Sequence, residues 1–346
     1  MYTDCILSIV LYRNIEYCHV EMPGWIYREP LDLVGFTRIV MNIIFVVLAT
    51  VLSAVNGDYI VAVANHDLFL GSSSDGSDYL LSKNIELYEN LTTVGKSSGA
   101  QVVIFPEFGL TPVASADERS DLYPYVEAIP DVDINSPIVP CGESSFTDRP
   151  ILSRISCAAK SNEVLVLVNM IDTQPCSSET DKNCPADGHY QFNTDVLFDE
   201  SGAMVAKYHK SHEWPGLMDA YDQPASPSRV TYQSPTIGVE FGLFTCFDIM
   251  FQDPPRELVA QGIKHFLYPV QQGLWGDATL LPHWSKQNQA VLIASNVKCG
   301  DPTSATKLDF SRVYVSGVEV SGQKVYLDGA IPEFRSENVL IVTVPS

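Results

Sequence analysis

Three polar residues follow apolar, strand-like segments directly, and their types can cleave an amide bond together. Glu107 follows VVIFP, Lys210 follows VAKYH, and Cys246 follows EFGLFT. In an α/β framework the ends of strands present side chains to a crevice, so we expect the three to meet there. A carboxylate can take the proton of a thiol, the sulfur can attack a carbonyl carbon, and an ammonium can stabilise the resulting oxyanion. The pattern therefore predicts hydrolysis through a covalent cysteine intermediate.

The predicted roles are Glu107 as proton acceptor, Cys246 as nucleophile, and Lys210 as oxyanion stabiliser and proton donor. Each residue also has a simpler interpretation: a helix cap for Glu107, a surface charge for Lys210 and a buried core thiol for Cys246. Charge stabilisation of this kind is large only where water is excluded. The hypothesis therefore requires that all three side chains share one enclosed pocket.

The histidines beside the lysine make a second mechanism of nucleophilic catalysis worth considering. His209 and His212 flank Lys210, which is compatible with a Cys–His protease. Side chains alternate along a strand, so His209 is expected on the face opposite Lys210. Asp248, two residues after Cys246, is interpreted as a cap of the following turn.

Alternating helical and strand-like segments predict one α/β layered domain over residues 58–346. Helical spacing of apolar residues covers Tyr79–Ser97, with Ser77 or Asp78 as its cap, and helices are also expected at Ile151–Ser161 and Arg256–Gly262. Short apolar runs predict strands at Tyr59–Asn65, Gln101–Phe105, Val164–Asn169, Tyr190–Asp199, Ala203–Tyr208, Thr236–Thr245, His265–Pro269, Val291–Asn296, Arg312–Val320, Lys324–Leu327 and Val339–Val344.

Three longer segments resemble the nitrilase superfamily of carbon–nitrogen hydrolases, and within it the vanin and biotinidase branch of secreted vitamin-amide hydrolases. They are VVIFPEFGL, DGHYQFNTDVLFDESGAMVAKYHK and FGLFTCFDIMFQDPP. The resemblance covers about residues 58–300 and matches the superfamily's Glu-Lys-Cys triad at Glu107, Lys210 and Cys246. It implies an α/β fold, the four-layer α-β-β-α sandwich, and catalysis without metal or organic cofactor.

The resemblance also implies a small-molecule amide as substrate. Members of this branch hydrolyse pantetheine to pantothenate and cysteamine, or release biotin from lysine conjugates. We expect a pantetheine-like substrate, with a biotin amide as the alternative.

Two segments depart from the family pattern. The superfamily has a second active-site glutamate shortly after the lysine, where KSHEWPGLMDAYDQP offers Glu213 or Asp219. The segment YPVQQGLWGDATLLPHW, residues 268–284, lacks the usual Pro-Thr-Ala-Trp sequence, although Trp275 or Trp284 is available to line a pocket. These departures leave open a secreted pseudoenzyme that acts as a binding protein.

The first 57 residues are expected to lie outside the hydrolase domain. The apolar run 43–55 is too short for a membrane span but suits the core of a signal peptide. We therefore expect residues 1–40 to be a non-native extension, 41–57 a signal peptide, and 58–346 the carbon–nitrogen hydrolase domain of a secreted protein. The alternative is that the apolar run is a signal anchor that stays in the membrane. The C-terminal accessory domain of vanins is expected to be absent.

Cysteine usage agrees with export, because disulfides persist in oxidising compartments. Cys176 and Cys184 bound the polar loop PCSSETDKNCP, which resembles the cysteine-bounded loop of vanins, and a disulfide is favoured over a zinc site there. Cys141 and Cys157 are the other candidate pair, which leaves Cys246 and Cys299 unpaired. Asn90-Leu91-Thr92 is a candidate glycosylation acceptor at Asn90.

The charge balance excludes one class of partner. The chain has 42 acidic and 21 basic residues, for a formal net charge of -21. Such a chain repels phosphate backbones, so no nucleic-acid partner is expected. Membrane association is not required by the sequence, and the oligomeric state is left open.

Overall fold

The computed structural model describes residues 57–66, 68–69, 74–111, 118–217, 219–271, 279–297, 310–327 and 337–346. The predicted extension 1–40, all of the predicted signal peptide except Gly57, and both Trp275 and Cys299 lie outside these residues, so the predictions on them stay predictions. Within the described ranges the helices α1 to α4 are Ser77–Ser97, Pro150–Asn162, Pro255–Ala260 and Leu280–Asn288.

The strands in the described ranges form one hydrogen-bonded sheet. Strands β1 to β7 are Tyr59–His66, Val102–Ile104, Val126–Glu127, Leu165–Pro175, His189–Phe198, Met204–His209 and Thr231–Gln233. Strands β8 to β14 are Glu240–Leu243, His265–Val270, Val291–Val297, Arg312–Val315, Val318–Glu319, Gln323–Tyr326 and Asn338–Val344. Their order in the sheet is β6-β5-β4-β2-β1-β10-β9-β8-β7, with β3 and β11 to β14 attached at its sides.

The sheet divides into two halves at β1. Along Tyr59–Asn65, β1 pairs with the antiparallel β14, and only Asn65 and His66 are in register with the parallel β10. Strand β13 extends the first half through β14, whereas β11 and β12 extend the second half through β10. This narrow junction lets the two halves turn their faces toward each other.

Alternation of side chains along the strands produces the layers. Val61 of β1 and Ile293 of β10 are fully buried in one apolar cluster between the two halves. Their neighbours face outward: Ala62 packs into a cluster with α1 and α2, and Leu292 into a cluster with α3 and α4. The order of layers is helix, sheet, sheet, helix, so the predicted α-β-β-α sandwich is confirmed.

The start of α2 shows how buried polar groups hold the outer layer. The helix begins with Pro150, whose missing N–H is not needed in the first turn. The buried carboxylate of Glu127 accepts hydrogen bonds from the N–H groups of Ile151 at 2.6 Å and Leu152 at 3.0 Å. Burial raises the pKa of Glu127 to about 7, although these two hydrogen bonds act in the opposite direction.

Two details of the expected elements are wrong. Helix α1 begins after Gly76 without a side-chain cap, so neither Ser77 nor Asp78 has the expected capping role. The expected strand Arg312–Val320 is a hairpin of β11 and β12, because Ser316 and Gly317 turn the chain at positive φ.

Disulfides join Cys141 to Cys157 and Cys176 to Cys184, the two pairs expected from the sequence. The first ties the loop before α2 to that helix, and the second closes the polar loop between β4 and β5. Asn90 lies within α1, where its side-chain amide donates to the Glu86 carbonyl at 2.7 Å; its glycosylation stays a prediction. None of the helices in the described ranges is long and apolar enough to cross a membrane.

Candidate active site

The three predicted residues meet at one edge of the sheet. Strands β2, β8 and β9 belong to the parallel part of the sheet, so their carboxyl ends point the same way. Strand β6 is antiparallel to β5, and β5 to β4, which returns β6 to that direction. Glu107 follows β2, Lys210 follows β6, Cys246 follows β8, and Gln271 follows β9. The topology therefore brings four distant stretches of chain to a common site.

The carboxylate, the ammonium and the thiol are all buried there. Glu107 and Lys210 are each 1% exposed and Cys246 is 9% exposed. Nζ of Lys210 lies 2.7 Å from Oε1 of Glu107. Among the described cysteines, Cys246 is the one outside a disulfide, so its sulfur is available for chemistry. The surface-charge interpretation of Lys210 and the helix-cap interpretation of Glu107 are both wrong.

A second carboxylate completes the surroundings of Lys210. Nζ of Lys210 also donates to Oε2 of Glu213 at 3.1 Å, and Glu213 is 3% exposed. Asp219, the other residue considered from the sequence, is exposed. Burial raises the pKa of Glu213, the charge of Lys210 lowers it and that of Glu107 raises it, and the net result is a pKa of about 7. The second acidic side chain of the site is therefore Glu213.

The electrostatics of the site favour a charged lysine and a protonated thiol. Burial lowers the pKa of Lys210, but the charges of Glu107 and Glu213 outweigh this and raise it well above its usual value. Burial raises the pKa of the Cys246 thiol well above its usual range. Glu107, close enough to accept a hydrogen bond from the thiol, raises that pKa further, and Lys210 partly opposes the effect. A reaction that uses this sulfur as a nucleophile would therefore require a base to remove its proton.

The Glu107 carboxylate is fixed from two sides. Its Oε1 accepts a hydrogen bond from the side-chain amide of Asn193 at 2.9 Å, and its Oε2 accepts one from the backbone N–H of Gln271 at 3.1 Å. Asn193 is itself held, because the Asn169 amide donates to its Oδ1 at 2.7 Å. These contacts orient Glu107 toward Lys210 and Cys246.

The same polar network reaches the segment that contains Cys246. Asn169 also donates to Oδ1 of Asp195 at 2.8 Å, and the Thr245 hydroxyl donates to Oδ2 of Asp195 at 2.5 Å. Burial raises the pKa of Asp195 to about 7, against the effect of these two donors. Thr245 directly precedes Cys246. One chain of hydrogen bonds thus connects Glu107 to the residue before Cys246.

Cys246 occupies a constrained backbone position. Its φ is 46°, in the left-handed region that non-glycine residues seldom adopt, and it begins the short 3-10 turn Cys246–Met250. The Tyr268 hydroxyl donates to the Cys246 carbonyl at 2.8 Å. Strained backbone persists where its surroundings hold it, and this conformation sets the direction of the side chain.

Hydrogen bonds to Asp248 connect the turn that contains Cys246 to the segment after Lys210. Its Oδ2 accepts hydrogen bonds from the Thr245 N–H at 3.1 Å and from the Tyr208 hydroxyl at 2.7 Å. Its Oδ1 accepts the backbone N–H of His212 at 2.9 Å and lies 2.9 Å from Nδ1 of that ring. The expected capping role of Asp248 is confirmed, and the residue also links two parts of the site.

The two histidines flanking Lys210 pair with carboxylates. His209 lies 2.8 Å from Oδ2 of Asp172 and stacks on Phe192, on the side of β6 opposite Lys210. His212 pairs with Asp248 and stacks on Phe251. This arrangement does not support the Cys–His protease. Trp284, considered for a pocket wall, is 2% exposed in the outer apolar cluster that also contains Cys246, and its contribution to a pocket stays a prediction.

The sequence interpretation missed the supporting residues Asn169, Asn193 and Asp195. A signal was present, since Asn193 and Asp195 are polar residues two positions apart in strand β5, which is buried over most of its length, and this spacing places both on one face. Buried polar residues on one face of a strand need partners, and here those partners belong to the site.

Comparisons with known proteins agree with this architecture. The family model for carbon–nitrogen hydrolases matches residues 61–314. An amidase of the nitrilase superfamily from Nesterenkonia shares the fold, with a TM-score of 0.58 over 83% of this chain and 91% of that chain at 17% identity.

Similar curated proteins come from the branch expected from the sequence. A pantetheinase from Mus musculus is 37% identical over 233 residues, which covers 65% of this chain and 43% of that protein. A biotinidase from Takifugu rubripes is 36% identical over 226 residues, which covers 63% of this chain and 44% of that protein. The matched part thus spans less than half the length of each relative. The chain belongs to the carbon–nitrogen hydrolase family.

Proposed function

We propose that this protein is a secreted amidase that hydrolyses a linear carbon–nitrogen bond through a thioester on Cys246. The observation that carries the proposal is the buried ion pair of Lys210 and Glu107 beside a cysteine that is free of disulfides. Removing an ion pair from water costs free energy, so a buried pair is weak evidence for a purely stabilising role. Ionisable groups with strongly shifted pKa values in an enclosed site often have a catalytic role.

The proposed reaction starts from the protonated thiol. Glu107 accepts the proton of Cys246 as the sulfur attacks the carbonyl carbon of the amide. An ammonium has three N–H groups; two of those on Lys210 go to Glu107 and Glu213, and the third is directed to the oxygen that gains the negative charge. The carbon–nitrogen bond then breaks, and the amine leaves with the proton held by Glu107.

The second half of the reaction restores the enzyme. Glu107, again a carboxylate, accepts a proton from water as the hydroxide attacks the thioester carbon. The acid leaves as the carbon–sulfur bond breaks, and the proton returns from Glu107 to the sulfur. Glu213 shares Lys210 throughout and limits the movement of its ammonium.

The proposed substrate is pantetheine or a similar amide, which would yield pantothenate and cysteamine, and the similarity to pantetheinases supports it. The similarity to a biotinidase supports a biotin amide as the second candidate. Export is supported by the two disulfides.

The test uses the full chain with pantetheine and with a biotinyl amide, and it measures release of the amine. We expect turnover of at least one amide and its loss in Cys246→Ala. Absence of turnover, together with no labelling of Cys246 by an electrophile, would instead favour the binding protein considered from the sequence.

A further inference from the structure

Two buried polar atoms beside the proposed catalytic groups lack hydrogen-bond partners within the described part of the chain. They are Oε1 of Glu213 and the hydroxyl oxygen of Tyr221. Both residues are nearly inaccessible, at 3% and 2% exposure. A buried polar atom without a partner costs about 1–3 kcal/mol, so a pair of them in one site calls for an explanation.

Tyr221 lies close to the proposed catalytic residues. Its ring centroid is 5.4 Å from that of Phe108, the residue after Glu107, and Nζ of Lys210 is 5.9 Å from the same Phe108 ring. The phenol is also within electrostatic range of the site's charges. Burial raises the pKa of Tyr221 well above its usual value; the carboxylates of Glu213 and Glu107 raise it further, and Lys210 lowers it.

The backbone on both sides of Tyr221 is held firmly. The Gln191 side chain donates to the Ala220 carbonyl at 2.5 Å, and the Asp222 N–H donates to the Gln191 carbonyl at 2.8 Å. Asp222 also accepts a hydrogen bond from Arg119 at 2.8 Å. The backbone around Tyr221 is thus hydrogen-bonded to strand β5, and this anchoring preorganises the phenol for binding.

We propose that Glu213 and Tyr221 bind a second amide group of the substrate, one that lies close to the scissile carbonyl on the acyl side. This inference rests on the proposed amidase function. The leaving amine receives its proton from Glu107 and therefore lies against that residue. In this proposal the acyl chain lies on the side of Lys210 that binds Glu213, and Tyr221 is reached through its contact with Phe108.

The chemistry of the two atoms suits an amide. An amide N–H can donate to Oε1 of Glu213, and an amide carbonyl can accept from the Tyr221 hydroxyl. An all-carbon acyl chain satisfies neither atom and leaves both buried without partners. A site built to hydrogen-bond its substrate discriminates strongly against an analogue that lacks the group. Pantetheine has such an amide close to its scissile carbonyl, whereas the acyl chain of biotin has methylene groups there.

The experiment compares two synthetic substrates with the same leaving amine and acyl chains of equal length. One carries the N-acetyl-β-alanyl group, and the other carries the hexanoyl group, in which methylenes replace the internal amide. The readout is the ratio of kcat/KM for the two substrates in the full-length protein. We expect the wild type to prefer the N-acetyl-β-alanyl amide and Tyr221→Phe to lower the ratio about tenfold, the effect of one lost hydrogen bond.

Tyr88→Phe is the matched control. Tyr88 is also buried with a hydroxyl that lacks a partner, but it stacks on Phe105, and burial alone raises its pKa. Its substitution is expected to leave the ratio unchanged. Equal kcat/KM values for the two substrates in the wild type, or an unchanged ratio in Tyr221→Phe, would overturn the inference while leaving the amidase intact. Turnover of neither substrate, nor of pantetheine and biotinyl amides, would instead refute the amidase function on which it rests.

Discussion

Removal of the Lys210 ammonium is expected to destabilise the protein strongly and in a pH-dependent way. Lys210→Met keeps most of the side-chain volume but leaves two buried carboxylates, Glu107 and Glu213, without their cation. Loss of one partner from a buried ion pair costs about 3–5 kcal/mol. We expect a loss of this size in the free energy of unfolding at pH 8, measured by urea denaturation with the disulfides intact.

The sign of the pH dependence follows from Glu213. Its pKa in the folded wild type is already raised from 4.5 to about 7, and loss of the neighbouring positive charge raises it further. The folded variant therefore binds more protons than the unfolded chain above about pH 4.5, so its stability falls as the pH rises. The difference in stability between variant and wild type should therefore be about 1 kcal/mol smaller at pH 5 than at pH 8.

Lys83→Met is the control for loss of a lysine. Lys83 pairs with Glu86 on the surface of α1, with side chains 24% and 38% exposed. Exposed pairs of this kind contribute at most about 1 kcal/mol, so the control should unfold close to the wild type at both pH values. Equal unfolding midpoints for Lys210→Met and the wild type at pH 8 would refute the buried arrangement of these charges.

Three further predictions concern stability, each measured as the free energy of unfolding. Glu213→Gln removes a carboxyl with a folded pKa of about 7, so relative to the wild type it should gain about 2–3 kcal/mol between pH 5 and pH 8; no change between these values would contradict the assigned burial. Glu127→Gln replaces one of two acceptors at the start of α2 but also removes a carboxyl with a folded pKa of about 7, so relative to the wild type its stability should rise by about 2–3 kcal/mol between pH 5 and pH 8; an unaltered difference would contradict the burial of this carboxyl. Replacing Cys141 and Cys157 together by serine should cost about 3 kcal/mol, slightly more than the same replacement of Cys176 and Cys184, whose disulfide closes a shorter loop. A larger cost for the Cys176 and Cys184 replacement would contradict the explanation by loop entropy.

The positions of Glu107 and Cys246 were predictable because local signals determine them. Each follows a run of apolar residues that is buried as a parallel strand, and the direction of parallel strands then brings the two ends to one edge. Lys210 was predictable for a similar reason, since β6 forms a hairpin with β5 around a turn that contains glycine.

Other features depend on contacts that sequence spacing does not reveal. Glu213 and Asp219 are both acidic residues after Lys210, and only the path of the loop decides that Glu213 turns inward. The insertion of β14 beside β1 joins residues from opposite ends of the domain, so no local pattern indicates it. The turn at Ser316 and Gly317 was overlooked although a serine–glycine pair is a turn signal.

The most direct test of the central claim is the mass of the enzyme during turnover. The full chain is mixed with a reactive amide, quenched with acid and digested, and the peptide that contains Cys246 is measured. The account predicts a mass increase equal to the acyl group on Cys246 itself, absent from Cys246→Ala. Hydrolysis of the amide by the Cys246→Ala variant, or an acyl group found on a different residue, would contradict it.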